Sequence, residues 1–236
     1  MTRKLNQAQI TEIIARYQGG ETMTRIAQDY DVTRLAVRLQ LIKNGIVLTP
    51  FDHHAAATQY TLNERYFDSV STEEQAYWLG FLAADGYISV NRRYDAKSLV
   101  VNLAEGDIER LYALKEALDA THPVFTYPKP RGQRAVRLSM RSNILAAGLA
   151  QYGIVNRKTY TIRMPYLDAA LIPHFLRGYS DGDGGFYEYP NRRIKWTITS
   201  NANFVEDVRI YLSGILQTGG NVYRDPKNPQ MAQFTR

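Results

Sequence analysis

The sequence predicts an α+β protein, with a small helical unit at the N-terminus followed by two related halves in which a helix leads into strands. Three observations carry this prediction. Two apolar segments, 78–86 and 176–184, both end in Asp-Gly, and the second repeats the first 98 residues further on (Asp85 to Asp183). Behind each segment, apolar and polar residues alternate as in half-buried strands. Ahead of both, residues 6–46 keep apolar side chains at helical spacing instead.

In the first unit, residues 1–48, Ile10, Ile13, Ile14 and Tyr17 mark a helix that ends at Gly19-Gly20. A second short helix follows Thr22, with Ile26 and Ala27 on its apolar side. Residues 29–32 make a turn, and Thr33 caps a third helix whose Val37 and Leu41 point inward and which Gly45 closes. The stretch TRIAQDYDVTRLAVRLQLIKNGI resembles the helix-turn-helix of resolvase-like and transposase-like DNA-binding domains. That resemblance implies a third helix seated in the major groove. Arg34 and Arg38 are then the candidate base readers, because Arg pairs bidentately with guanine, while Gln40 and Lys43 are peripheral or phosphate contacts. The alternative is a three-helix packing module with a solvated basic face. Residues 49–70, with Pro50, His53-His54 and three consecutive alanines, keep no period and read as a linker. The His pair fits a solvated linker better than a metal site, and His122 and His174 stand alone.

The first half, residues 71–166, opens with a capping box made by Ser71 and Glu74 or by Thr72 and Gln75. After the motif helix come strands at 87–91 and 97–103, a helix at 106–119, strands at 123–128 and 133–141, and a helix at 142–151. The second half, residues 167–236, repeats the order. Pro173 starts its motif helix, strands follow at 185–189 and 192–199, and a helix spans 203–216. A strand at 220–224 and the beginning of a fourth complete it, so this half reads as shortened.

Gly80 and Ala84 lie one turn apart on one face of the first motif helix, as Gly178 and Gly182 do on the second. Two such stripes let helix backbones approach closely, which sets Asp85 and Asp183 side by side. Each carboxylate then meets the negative end of a helix dipole and a second carboxylate, an arrangement that stability alone does not select. A hard divalent cation such as Mg²⁺ offsets that cost.

Alternation assigns the strand faces. Val136, Leu138 and Met140 oppose Arg137, Ser139 and Arg141; Leu99, Val101 and Leu103 oppose Val100 and Asn102; and Ile194, Trp196 and Ile198 oppose Arg193, Lys195, Thr197 and Thr199. Each sheet thus has an apolar face for helices and a polar, basic one. Residues 126–141 carry Lys129, Arg131, Arg134, Arg137 and Arg141 without an acid, which suits phosphate contacts. The bland alternative is that any half-exposed antiparallel sheet alternates in this way. Most of the 17 tyrosines are packing residues on this reading.

The paired motifs resemble those of the LAGLIDADG homing endonucleases, in the single-chain form, over roughly residues 71–236. The resemblance implies a pseudo-twofold fold of two αββαββα-type halves with the motif helices at its centre. It makes Asp85 and Asp183 the ligands of catalytic Mg²⁺, and double-stranded DNA the partner of a monomer. Asp181 also matches an acidic motif position, but its counterpart is Ala83, so it receives no catalytic role. The segment YGIVNRKTYTI is similar to the one that supplies a lysine near the active site. It nominates Lys158, for which a simple phosphate contact or an exposed charge is the alternative. The same offset after Asp183 falls beyond Arg236. The function implied is site-specific hydrolysis of DNA phosphodiesters. Nicking, or a non-catalytic DNA-binding regulator on the same scaffold, is the alternative. An RNA maturase is disfavoured by the N-terminal unit, and an intein by the start of the chain and the lack of Cys and of a terminal His-Asn pair.

Bulk properties agree with an anionic partner. Lys and Arg outnumber Asp and Glu by 29 to 23, a net charge of +6 and a pI near 9.4. With no cysteine, disulfides, thiolate zinc sites and thiol nucleophiles are excluded. The N-terminus lacks the apolar core of a signal peptide, and no apolar run approaches the ~18 residues of a membrane span, so a cytoplasmic, nucleoid-associated protein is expected.

Overall fold

The computed structural model describes residues 5–19, 21, 23–46, 60–190, 194–216 and 220–236. The chain divides into two compact units, Met1–Gln59 and Tyr60–Arg236. Gly20, Thr22 and the His53-His54 pair of the expected linker lie outside the described residues.

The first unit holds α1 (Gln7–Gln18), α2 (Met23–Asp29) and α3 (Arg34–Lys43). Asn6 and Gln9 form a reciprocal capping box at the start of α1. The backbone N–H of Ala36 donates to the Thr33 hydroxyl at 3.2 Å, which is the expected cap of α3. Asp31 turns the chain between α2 and α3 in the left-handed region, at φ 52°. Ile13, Ile26, Ala27, Val37 and Leu41 form one buried cluster, as their spacing predicts. Arg16 reaches from α1 to both Glu21 and Asp29 and ties the turn regions together.

In the second unit, the first half runs α4 (Glu73–Ala84), β1 (Gly86–Asn91), β2 (Ala96–Ala104), α5 (Ile108–Ala117), β3 (Val124–Pro128), β4 (Arg134–Arg141) and α6 (Asn143–Ala150). The second half runs α7 (Ile172–Asp183), β5 (Gly184–Glu188), β6 (Ile194–Asn201), α8 (Ala202–Leu216), β7 (Asn221–Arg224) and β8 (Met231–Thr235). The helix expected over 106–119 begins as a 3-10 turn at Glu105–Asp107 and becomes α-helical only from Ile108. The sheets have matching orders, β1-β2-β4-β3 and β5-β6-β8-β7, with every paired neighbour antiparallel. β8, expected only as the beginning of a strand, is a whole strand, so each half contributes a four-stranded sheet.

Thr72 and Gln75, rather than Ser71 and Glu74, make the capping box of α4. The Gln75 amide also donates to the carbonyl of Tyr66 at 2.9 Å. Phe67 is fully buried, and the N–H of Asn63 donates to Leu118 at 2.8 Å. Residues 60–70, read from sequence as linker, therefore pack as part of the second unit.

α4 is buried on nearly all sides, as an apolar helix without a polar face must be. It lies against α7 through reciprocal contacts. The absent Cβ of Gly80 leaves room for the backbone of Phe175 and Tyr179, and that of Gly178 leaves room for Tyr77 and Phe81. Each contact maps onto the other by the 98-residue offset of the motifs, so the helix pair carries the twofold relation of the halves. One continuous core extends through both halves from this pair. Among the described residues, no helix is long and apolar enough to cross a membrane.

Candidate metal centre and nucleic-acid interface

The close helix approach brings the two motif carboxylates into one electrostatic site. Asp85 caps α4, its N–H donating to Phe81 at 2.9 Å, and Asp183 is the last residue of α7. A Cβ on Gly182 would stand 2.8 Å from Oδ2 of Asp85, so the second small-residue position makes space for the first carboxylate. Partial burial, then the charge of Asp183, pushes the Asp85 carboxyl up to about 6. Burial also raises Asp183, with Lys158 and the Tyr179 hydroxyl pulling it back. The Tyr179 hydroxyl in turn donates to Oγ of Ser200 at 2.8 Å.

Lys158 is only 7% exposed, so it is not the exposed surface charge that sequence left open. It begins a 3-10 turn after Arg157, whose φ is 60°, and its Nζ donates to the carbonyl of Ala84 at 2.9 Å. Burial lowers its pKa, and the charges of Asp183 and Asp85 oppose that shift. The lysine thus satisfies a C-terminal carbonyl of α4 while partly balancing both carboxylates. Among the described residues no group of three or more His, Cys, Asp or Glu forms a metal cage. Two mutually repelling carboxylates suit Mg²⁺, which completes its shell with water and substrate phosphate, better than they suit a structural zinc.

Asp181, two residues before Asp183, is otherwise engaged. Its Oδ2 accepts from the Tyr77 hydroxyl and from Arg110 Nη1, both at 2.7 Å, and Arg110 also donates to the Tyr77 hydroxyl at 3.0 Å. The Arg177 guanidinium lies over the Tyr77 ring, 5.0 Å from its centroid. This cluster ties α7 to the first half, and nothing in the sequence pointed to Arg110 or Tyr77. Asp181→Ala is expected to cost about 1 kcal/mol, since it removes the acceptor of a half-buried hydroxyl and the charge partner of a half-exposed guanidinium. Urea denaturation of the full chain measures it, and an unchanged midpoint would remove the cluster's stabilising role.

The outer face of the first sheet is polar and basic as expected. Arg137 faces Asn102 and Phe125 across the ladder, and Arg141 faces Ser98. With Ser89, Ser98 and Ser139 they line a concavity of about 210 Å³ floored by Val100, which is fully buried although it belongs to the polar side. Lys129 and Arg131 lie exposed between β3 and β4. Arg134 departs from expectation. Its Nε donates to Glu105 at 2.8 Å, so a run that is acid-free in sequence acquires an acid in space. On the second sheet Lys195 is half-buried opposite Tyr187, Thr197 is buried, and Arg193 lies outside the described residues. Ile194 is on the apolar face with Trp196 and Ile198, as assigned, yet is 69% exposed.

Arg34 and Arg38 are on the outer side of α3, interleaved with the exposed Leu35, Leu39 and Ile42. Sequence reasoning missed this apolar stripe because Val37 and Leu41 already accounted for the inward face.

No protein-family model matches the chain, and no curated protein matches it. Its fold is similar to solved structures of homing endonucleases. Meganuclease I-SmaMI bound to uncleaveable DNA is 14% identical, with 68% of this chain and 77% of that chain covered and a TM-score of 0.44. The LAGLIDADG homing endonuclease I-GzeII in complex with its DNA target is 12% identical, with 71% and 78% covered and a TM-score of 0.47. The LAGLIDADG homing endonuclease I-LtrWI bound to target DNA is 12% identical, with 74% and 79% covered and a TM-score of 0.45.

Proposed function

We propose that the protein is a site-specific, Mg²⁺-dependent endonuclease of double-stranded DNA, of the LAGLIDADG homing type. The observation that carries this reading is the convergence of Asp85, Asp183 and buried Lys158 at the ends of two tightly packed helices. A protein that only bound DNA would be more stable with neutral residues at both aspartates. Their retention favours a nuclease over a regulator on the same scaffold.

Asp85 and Asp183 would hold the metal, which when bound supplies Lewis acidity and a more acidic water. Lys158, fixed on the Ala84 carbonyl, keeps positive charge beside the carboxylates where the scissile phosphates add negative charge. The basic outer faces of the sheets supply phosphate contacts, chiefly from Arg137 and Arg141 on the first and Lys195 on the second. Lys129 and Arg131 extend that track, and Arg34 and Arg38 of the first unit add base contacts. Leu35 and Leu39 beside them suit thymine methyl groups.

Full-length protein incubated with Mg²⁺ and a plasmid library of randomised inserts, followed by sequencing of the ends, is the test. Defined breaks that vanish with Asp85→Asn and with Asp183→Asn are expected. No cleavage by the wild type, or equal cleavage by the variants, would overturn the reading. Arg137→Ala with Arg141→Ala is expected to weaken binding to a recovered target and to lower the salt slope, log Kd against log salt, by about 2. An unchanged slope would take the first sheet out of the phosphate interface.

A further inference from the structure

The halves share strand order and register, so the surroundings of the two motif aspartates can be matched residue by residue. By the 98-residue offset of the motifs, Tyr179 on α7 corresponds to Phe81 on α4. In the ladders Gly184 faces Ile198 as Gly86 faces Val101. Two residues further along, Ser200 on β6 therefore corresponds to Leu103 on β2. Where the first half has two apolar side chains, the second has two hydroxyls.

Both hydroxyls lie inside the core. Tyr179 is 2% and Ser200 4% exposed, and their oxygens are 2.8 Å apart. The Tyr179 ring stacks on Phe204 with 4.4 Å between centroids, which holds the phenol in one orientation. Asp183 follows one turn later on the same face of α7, and the phenol also hydrogen-bonds its carboxylate. Asp85 has no such support. Among the described residues no side chain hydrogen-bonds its carboxylate, and Phe81 has no polar atom to offer. A buried hydroxyl pair adds little net stability, and the first half packs Phe and Leu in the same places. Packing alone therefore does not call for Tyr179 and Ser200.

We propose that Tyr179, backed by Ser200, is a positioning residue that fixes the Asp183 carboxylate as a metal ligand and makes the two motif aspartates unequal. The inference rests on the endonuclease reading, in which these aspartates hold Mg²⁺. A carboxylate held by a fixed donor presents its remaining lone pairs in one orientation. Loss of such a partner ordinarily costs about 10–100-fold in metal affinity or activity. Twofold-related halves meet opposite strands of a duplex, and Tyr179 belongs to one half, so its effect falls unevenly on the strands.

Tyr179→Phe removes one oxygen and installs the residue that the first half already buries at this place, so it should fold. Mg²⁺ is titrated into the full-length chain without DNA and followed by the melting temperature. The midpoint should lie at about tenfold higher Mg²⁺ in Tyr179→Phe than in the wild type. Ser200→Ala should move it the same way by less, and serves if the first variant misfolds. On a duplex carrying a recovered target, end-labelled on each strand in turn, Tyr179→Phe should slow one strand at least about tenfold and the other by less than about twofold. A loosened core would slow both strands alike. Equal slowing, or a Mg²⁺ midpoint that neither variant moves, would therefore overturn the proposal. If the wild type cuts neither strand, the endonuclease reading falls, while the Mg²⁺ midpoint still supports the role of Tyr179 if it moves and removes it if it does not.

Discussion

Asp85→Asn is expected to abolish Mg²⁺-dependent cleavage and, in the same protein, to raise the stability of the metal-free state at neutral pH. The two effects have one cause. Partial burial and the neighbouring Asp183 push the Asp85 carboxyl up to about 6, above its ordinary value of 3.8. The folded chain therefore holds that proton more tightly than the unfolded chain does. The stabilising contribution is fully present below the unfolded value and is lost as pH rises through about 6. Above that, ionised Asp85 is a cost, worth about 1–2 kcal/mol once screening of its exposed part is allowed for. Asparagine removes the charge with little change of shape. Melting in EDTA should show the wild type losing stability between about pH 4 and 6.5, and the variant losing less of it. At pH 7.5 the variant should melt about 2–5 °C higher. Adding Mg²⁺ should then stabilise the wild type and leave the variant nearly unmoved. Cleavage should fall by about 10²–10³-fold or more, the scale on which a charge stabiliser of the transition state acts. A variant that melts lower at pH 7.5, or gains as much from Mg²⁺, would sink the carboxylate-pair account.

The parts legible in the sequence were those set by spacing along the chain. The glycine and alanine stripes on α4 and α7, the Thr33 cap and the inward faces of β2 and β4 follow from spacing along the chain, and all are present; for the capping box of α4 spacing left two pairs open, of which Thr72 and Gln75 form it. What the sequence hid depends on partners far away along it. Arg110, Tyr77 and Asp181 meet only because α7 crosses α4, so no local pattern announces them. Glu105, just past the end of β2, reaches Arg134 at the start of the neighbouring β4, which a charge count over 126–141 could not register. Lys158 was found by resemblance, but its burial follows from the turn that drives it under Ala84. Ile194 failed differently. Alternation placed it correctly on the inner face, yet alternation does not say whether anything covers that face.

Gly80→Ala and Gly178→Ala are expected to be the most destabilising small substitutions in the second unit. Glycine in the middle of a helix ordinarily costs about 1 kcal/mol relative to alanine, so on propensity alone both changes would stabilise. Packing reverses the sign. A Cβ at Gly80 would overlap the carbonyl of Phe175 and crowd the N–H of Tyr179, and at Gly178 it would overlap that of Tyr77 and crowd Phe81. These are backbone atoms within a facing helix, and no rotamer change relieves the clash. α4 and α7 would have to move apart, opening the core around Phe81, Phe175 and Tyr179, all of which are at most 2% exposed. A net loss of about 3 kcal/mol or more follows, since overpacking and a loosened core add. Gly182→Ala separates stability from chemistry. Its new Cβ would overlap less, 2.5 Å from Ala84 Cβ against 1.9 Å from a carbonyl oxygen at the other two positions, but Ala84 Cβ moves only with the α4 backbone, and Oδ2 of Asp85 at 2.8 Å must move as well, which displaces the Asp85 carboxylate. Chemical denaturation should therefore rank Gly80→Ala and Gly178→Ala well below Gly182→Ala in stability. Mg²⁺-dependent cleavage by the still-folded Gly182→Ala should nevertheless fall at least about tenfold, as expected for misplacement of a group at the reacting centre. Wild-type stability in either of the first two variants would mean that the helices do not meet backbone to backbone. Full cleavage by Gly182→Ala would mean that the position of the Asp85 carboxylate is not what the helix contact sets.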